Sequence, residues 1–194
     1  MSLFEEPEGA TPLADDEMDG LIPSWIQSRA DLNAAEERNI LQALAWTTRQ
    51  RNRAYLTDPF IRTLHRRMFG EVWKWAGTLR RRETNIGVDP HHIPVAVAQL
   101  FGDVGYWLEN ATYEPDEIAV RLHHRLVAIH PFPNGNGRHT RLLADLVVQQ
   151  SGRPPFSWGG TNLGSSGDVR TLYLQALRAA DAHDIVPLLT FART

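Results

Sequence analysis

Apolar residues return at three- and four-residue spacing along most of this chain, and nearly every such stretch is introduced by a cap residue or a proline. That pairing constrains the fold more than any other feature, because it fixes helices together with their starting points. Asn33 and Glu36 form a capping-box pattern that predicts a helix over 33–52, with Ile40, Leu41, Leu44 and Ala45 on one side. Asp58 and Pro59 supply a cap and an N1 proline ahead of Phe60, Leu64, Met68 and Val72. Asp89 and Pro90 predict a third start, running to Leu108, and Pro115 a fourth, with Ile118, Leu122, Leu126 and Ile129 on one stripe. Leu142, Leu143, Leu146 and Val147 mark a fifth helix, stopped by Gly152, Pro154 and Pro155, and two shorter helices are expected over 166–180 and 184–192. Only residues 78–88, TLRRRETNIGV, read as extended, in the form of a short hairpin. The expected class is all-α, a helical bundle with one β-hairpin.

With 194 residues, 42% of them hydrophobic, the chain has enough apolar material for one sizeable core. Its net charge of −3 is unevenly spread. Residues 1–20 hold seven acids and no Lys or Arg, which leaves the other 174 at +4, almost all of it arginine because Lys74 is the only lysine. Residues 1–30 therefore read as an acidic arm and 31–194 as the helical domain. The absence of cysteine excludes disulfides, thiolate metal sites, iron–sulfur clusters and cysteine nucleophiles. The start lacks a basic segment followed by an apolar one, and no run is long enough to span a bilayer, so a cytoplasmic, membrane-free protein is expected. The small basic surplus and the lack of a helix-turn-helix signature argue against direct nucleic-acid binding.

Chemistry concentrates at 130–141, His-Pro-Phe-Pro-Asn-Gly-Asn-Gly-Arg-His-Thr-Arg, where one helix ends and the next begins. The backbone amides of Gly135, Asn136 and Gly137 lead into the free N–H groups of a helix start, where the dipole favours an anion. Arg138 and Arg141, three apart, emerge on one side of the first turn and can grip further phosphate oxygens. His130 stands at the mouth of this cradle with a side chain suited to accept a hydroxyl proton. Asn134 offers a carbonyl oxygen towards Mg²⁺. A base beside bound phosphate suggests nucleotidyl or phosphoryl transfer to a hydroxyl, and Phe132 reads as the apolar anchor of the loop.

The string resembles the signature of the Fic (filamentation induced by cAMP) domain family, His-x-Phe-x-(Asp/Glu)-Gly-Asn-Gly-Arg-x-x-Arg, with Asn134 in place of the acid. Residues 9–40, with Gly-Ala-Thr-Pro-Leu and Gly-Leu-Ile-Pro, resemble small Fic proteins of the mobile mystery protein B type. The resemblance implies a protein adenylyltransferase that moves AMP from ATP, with Mg²⁺, to a Ser, Thr or Tyr hydroxyl of a target protein. It implies His130 as general base, Gly135, Asn136 and Gly137 as the anion hole, Arg138 and Arg141 on the outer phosphates, and a metal at Asn134. It places Thr84, Asn85, Ile86 and Gly87 in a flap that pairs with the target backbone, and Tyr173 and Asp181 near the nucleoside. It also implies a toxin-like, mobile-element setting in which a separate, antitoxin-like protein can inhibit the enzyme.

Many relatives inhibit themselves through a helix bearing (Ser/Thr)-x-x-x-Glu-(Gly/Asn), of which this sequence has no intact copy. Its nearest approaches are Ser2 to Glu6 and an Asp15 to Asp19 frame, and the acidic arm could fold back onto Arg141 instead. The alternatives to adenylyl transfer are a non-catalytic nucleotide- or peptide-binding module, and a Fic enzyme that removes AMP or transfers phosphate. The arginines at 80–82 read as a solvated turn. The histidines outside the motif read as surface or satisfied helix residues, because no zinc-binding pattern joins them.

Overall fold

A computed structural model describes residues 11–50, 54–160 and 167–194. Eight α-helices form among the described residues: α1 Asp15–Met18, α2 Arg29–Thr47, α3 Asp58–Phe69, α4 Ile93–Glu109, α5 Pro115–Ile129, α6 Asn136–Gln150, α7 Asp168–Asp181 and α8 Val186–Arg193. A 3-10 turn, Pro90–His92, leads into α4, with the Asp89 carboxylate accepting from the His91 N–H at 2.8 Å. The all-α expectation holds.

Helix α2 starts four residues earlier than the Asn33 pattern suggests. Ser28 and Asp31 make a complete capping box, Ser28 Oγ accepting from the Asp31 N–H at 3.1 Å and Asp31 Oδ2 from the Ser28 N–H at 3.0 Å. That earlier box wins because the added turn brings Leu32 and Ala35 into the core. It also leaves Glu36 facing inward as a helix-interior residue. At α3 the cap is Thr57, not Asp58, which instead pairs with Arg62 one turn on.

The antiparallel pair α5 and α6 is central, and its two flanks differ. Ile118, Leu122, Leu126, Leu143 and Val147 face the cluster built by α2, α3 and α4. Ala119, Val120, Ala144 and Val148 face Phe156, Trp158, Tyr173, Leu188 and Phe191 of the α7–α8 side. Ala119 and Ala144 are fully buried, and such small side chains allow close helix approach. A pair packed on both flanks is a rigid mount, and the motif loop joins its two helices.

The expected hairpin over 78–88 does not form, since no strand occupies it. Its backbone is spent on the end of α5 instead: the Arg80 N–H donates to the Pro131 carbonyl at 3.0 Å and the Val88 N–H to the Ile129 carbonyl at 3.3 Å. Nor is Arg80 a solvated turn residue. It is 3% exposed, with Nε on the His130 carbonyl at 2.6 Å, Nη1 on Arg82 and Nη2 on the Val88 and Ile129 carbonyls.

The described part of the acidic arm is held against the bundle. Leu21 and Trp73 form an antiparallel bridge, Trp75 Nε1 donates to the Glu17 carbonyl at 2.9 Å, and Arg82 pairs with Glu17 at 2.6 Å.

Candidate active site

His130 is the C-cap of α5 and takes a left-handed backbone, φ 55° and ψ 62°. For a residue with a Cβ this conformation costs about 1–2 kcal/mol. The Arg80 guanidinium offsets that cost by binding the carbonyls of both 129 and 130. Fixing the turn aims the imidazole out of the helix end. Phe132, fully buried, then pins the loop, stacked 3.9 Å from the His65 ring and edge-on to His139 at 5.1 Å. Asn136 closes the loop from the other side, Nδ2 donating to the Phe132 carbonyl at 2.8 Å while Oδ1 accepts from its N–H at 2.9 Å. Its side chain is therefore structural, and only its backbone faces a ligand.

His130 is 6% exposed. Burial, reinforced by the Arg80 charge and partly offset by the Val127 backbone, brings its pKa down to about 4. The ring is neutral at physiological pH and can accept a proton. A hydroxyl is already in place: Thr11 Oγ1 lies 3.0 Å from Nε2.

Gly135 caps α6 at φ 78°, with a Cβ there meeting the Phe69 ring at 2.7 Å, so both backbone and packing demand glycine. Its own N–H is taken by Asn134 Oδ1 at 2.6 Å, which removes it from the anion hole in this conformation. The N–H groups of Asn136, Gly137 and Arg138 have no acceptor among the described residues. A Cβ on Gly137 would come no nearer than 3.6 Å to Tyr173 Oη, so packing leaves room in front of these amides.

Beyond the amides lies a cleft of about 180 Å³. Arg29, Arg138, Arg141 and Arg170 line it against one carboxylate, Glu36. Arg138 pairs with Glu36 at 2.7 Å, while Glu36 also accepts from Trp73 Nε1 at 2.7 Å. Arg141 lies over the Tyr173 ring at 5.3 Å. Tyr173 is held from behind, Oη 3.1 Å from His123 Nε2, and Thr140 Oγ1 lies 2.9 Å from the other nitrogen of that imidazole.

The expected residues thus converge except at two places. Asp181 stands apart from the residues lining the cleft and binds His124 Nε2 at 2.7 Å. Of the residues expected in the flap, Ile86 lines the cleft and Gly87 abuts His130, where a Cβ would stand 2.9 Å from His130 Cβ. Thr84 Oγ1 donates to the Ile86 carbonyl at 2.5 Å, which tightens this turn. Sequence reasoning missed Thr11, Glu36, Arg29 and Arg170. Glu36 read only as half of a capping box, Arg29 and Arg170 have no motif, and Thr11 falls within the Gly-Ala-Thr-Pro-Leu string. The Ser2 to Glu6 frame lies outside the described residues. Asp15 and Asp19 bracket α1, and the arm reaches His130 rather than Arg141.

The donor set does not fit a resident Mg²⁺. Asn134 spends Oδ1 on the Gly135 N–H and donates Nδ2 to the Thr11 carbonyl at 3.1 Å, and Glu36 is doubly engaged. No group of three potential ligands among His, Cys, Asp and Glu occurs among the described residues.

Sequence comparison decides the kinship. Residues 55–148, from before α3 to near the end of α6, match the profile of the Fic/DOC family. The chain belongs to that family. Protein adenylyltransferase fic-1 of Caenorhabditis elegans is 31% identical over 135 residues, which is 68% of this chain and 25% of that protein. Protein adenylyltransferase Fic of Drosophila mojavensis is 33% identical over 144 residues, 71% of this chain and 27% of that one. The Fic chain described here thus spans about a quarter of the length of these curated relatives. Among solved structures, Fic-1 (residues 134–508) from C. elegans superposes with a TM-score of 0.60 at 27% identity, covering 91% of this chain and 51% of that one. The Bartonella tribocorum BepC structure, with bound AMPPNP, gives 0.69 at 16% identity over 93% and 97% of the two chains, and so shares the Fic fold.

Proposed function

We infer that this Fic domain transfers AMP from ATP to a Ser, Thr or Tyr hydroxyl of a target protein. The observation that carries the reading is a neutral, buried imidazole with a hydroxyl on Nε2, at the edge of an arginine-lined cleft headed by a helix N-terminus. ATP phosphates have complementary partners there: the amides of 136–138 for the inner oxygens, Arg138 and Arg141 for the outer ones. The acceptor oxygen attacks the α-phosphorus as His130 Nε2 takes its proton, and pyrophosphate leaves. Amides and guanidinium groups already aimed at the phosphates stabilise the developing charge without reorganising. Gly87 and Ile86 border the acceptor's approach to the base, and Tyr173 walls the nucleoside side. Asp181 in α7, bound to His124, has no place in this reading. Asn134 and Glu36 are engaged elsewhere, so any Mg²⁺ would have to be held by the nucleotide's own phosphates.

The cleft is smaller than the roughly 300–1,000 Å³ usual for ligand sites. Nucleotide entry therefore requires the Glu36–Arg138 pair or the arm to yield. A separate, antitoxin-like partner could exploit that closed state, and the toxin-like, mobile-element setting rests on the family resemblance. No described helix is long and apolar enough to cross a membrane. Dependence on ATP supports a cytoplasmic site of action.

The test is incubation with α-labelled and, separately, γ-labelled ATP in a cell lysate, alongside His130→Ala. Label from the α position that requires His130 is the expected result. Transfer of γ label indicates a phosphotransferase, and absence of both, also with residues 1–23 deleted, indicates a binding module.

A further inference from the structure

The residue resting on the base belongs to the chain itself. Thr11 is 4% exposed, its hydroxyl lies 3.0 Å from His130 Nε2, and it lines the same cleft as Gly137, Arg138 and Arg141. Its backbone is gripped without regard to side chain: Asn134 Nδ2 donates to the Thr11 carbonyl at 3.1 Å and Arg82 to the Pro12 carbonyl at 2.6 Å. Main-chain contacts of this kind are how an enzyme holds an extended acceptor peptide while leaving one side chain for chemistry. Just downstream the arm is tethered by the Arg82–Glu17 pair, by Trp75 on the Glu17 carbonyl, and by the Ile22 N–H on the Val72 carbonyl at 2.9 Å. Among the described cleft-lining residues the only other hydroxyl is Tyr173, which points to His123 and not to the base.

We propose that Thr11 is an acceptor in its own right, and that the chain adenylylates itself there in cis. The inference rests on the adenylyl-transfer reading above. Thr11 Oγ1 attacks the α-phosphorus of ATP as its proton passes to His130 Nε2. A new oxygen–phosphorus bond forms, the bond joining the α-phosphorus to the bridging oxygen breaks, and pyrophosphate leaves with that oxygen. His130 then returns its proton to water. The tether makes the step intramolecular, with the advantage in effective concentration that brings. The product, a phosphodiester on Thr11, has no hydroxyl left for His130 and is too large for the space Thr11 now fills. Modification therefore displaces Thr11 and opens the base to other hydroxyls.

The full chain is incubated with Mg-ATP over a range of protein concentrations and followed by intact mass, peptide mapping and hydrogen exchange. Wild type, Thr11→Val, Thr11→Ser and His130→Ala are compared, each also supplied with lysate and α-labelled ATP. The expected result is one AMP per chain, on Thr11, with a first-order rate constant independent of protein concentration. The mark is kept by Thr11→Ser, lost in Thr11→Val, and slowed about a hundredfold or more in His130→Ala. Exchange in residues 11–22 rises once the mark is on, and Thr11→Val, whose arm cannot be displaced by modification, labels lysate proteins more slowly than wild type. Label on lysate proteins with none on Thr11, or a Thr11→Val chain that labels itself like wild type, overturns the proposal and leaves adenylyl transfer standing. No label on anything overturns both.

Discussion

Phe132 and Arg80 hold the motif loop by different means, and their substitutions separate the two. Phe132 fills a fully buried site among His65, His139 and the core, so Phe132→Ala is expected to cost about 3–5 kcal/mol, read from the urea midpoint. Replacing Arg80 by Met leaves buried carbonyls at 129 and 130 without a donor, which is expected to cost about 1–3 kcal/mol. The same change removes a cation that depresses the His130 pKa. An NMR titration of His130 should then show its pKa moving up from about 4 towards its ordinary value, whereas Phe132→Ala has no charge to remove. His130, Phe132, the two glycines and both arginines were legible in the sequence because the chemistry of a phosphate cradle is compressed into twelve adjacent residues. Arg80 was not, because an arginine in a run of three looks solvated until the helix end it caps is seen.

At the scale of elements, α2 carries a control on the cleft. Glu36 reaches Arg138 only because the helix starts at Ser28, which turns Glu36 from a cap residue into an interior one facing Trp73. Glu36→Gln keeps an acceptor for Trp73 Nε1 and removes the charge held by Arg138. It is expected to tighten ATP binding by about two- to tenfold, measured by calorimetry, because the guanidinium is released from a largely buried carboxylate and freed for phosphate. Unchanged affinity would show that the pair does not compete with phosphate. The central helices were readable from periodicity and proline starts, α5 to the residue. The start of α2 and the course of 78–88 were not, since each depends on which long-range partner claims the backbone. Two capping patterns competed at α2, and burial of Leu32 chose between them. Residues 78–88 have the turn chemistry of a hairpin, but the carbonyls at 129 and 131 offered better partners than its own second arm.

For the whole molecule, the histidines set the pH dependence of stability. His65, His123, His130 and His139 all have pKa values lowered by burial, the last two to about 4. A base whose folded pKa lies below its unfolded value contributes stability in full above the unfolded value, near 6.5. That contribution is lost as pH falls from there towards the folded value, since the unfolded chain takes up the proton first. A drop of two units corresponds to about 3 kcal/mol for one such group. Asp145 works in the opposite direction, its pKa raised by burial to about 6, but it is one group against four. Urea unfolding at pH 7 and pH 5 should therefore show a clear loss at the lower pH, and equal midpoints would contradict it. The arm is the other whole-molecule feature. Its acidity was legible as a charge imbalance, but its destination was not, because the contact between Thr11 and His130 spans 119 positions and rests on one hydroxyl.

All of this turns on one chemical event, proton acceptance by His130 during attack at the α-phosphorus. Single-turnover reactions with α-labelled ATP, measuring AMP attached to hydroxyl acceptors and pyrophosphate released, test it most directly. The expected result is one pyrophosphate per AMP attached, with the rate falling by about a hundredfold or more in His130→Ala. Release of inorganic phosphate in place of pyrophosphate, or a His130→Ala chain as fast as wild type, would contradict it.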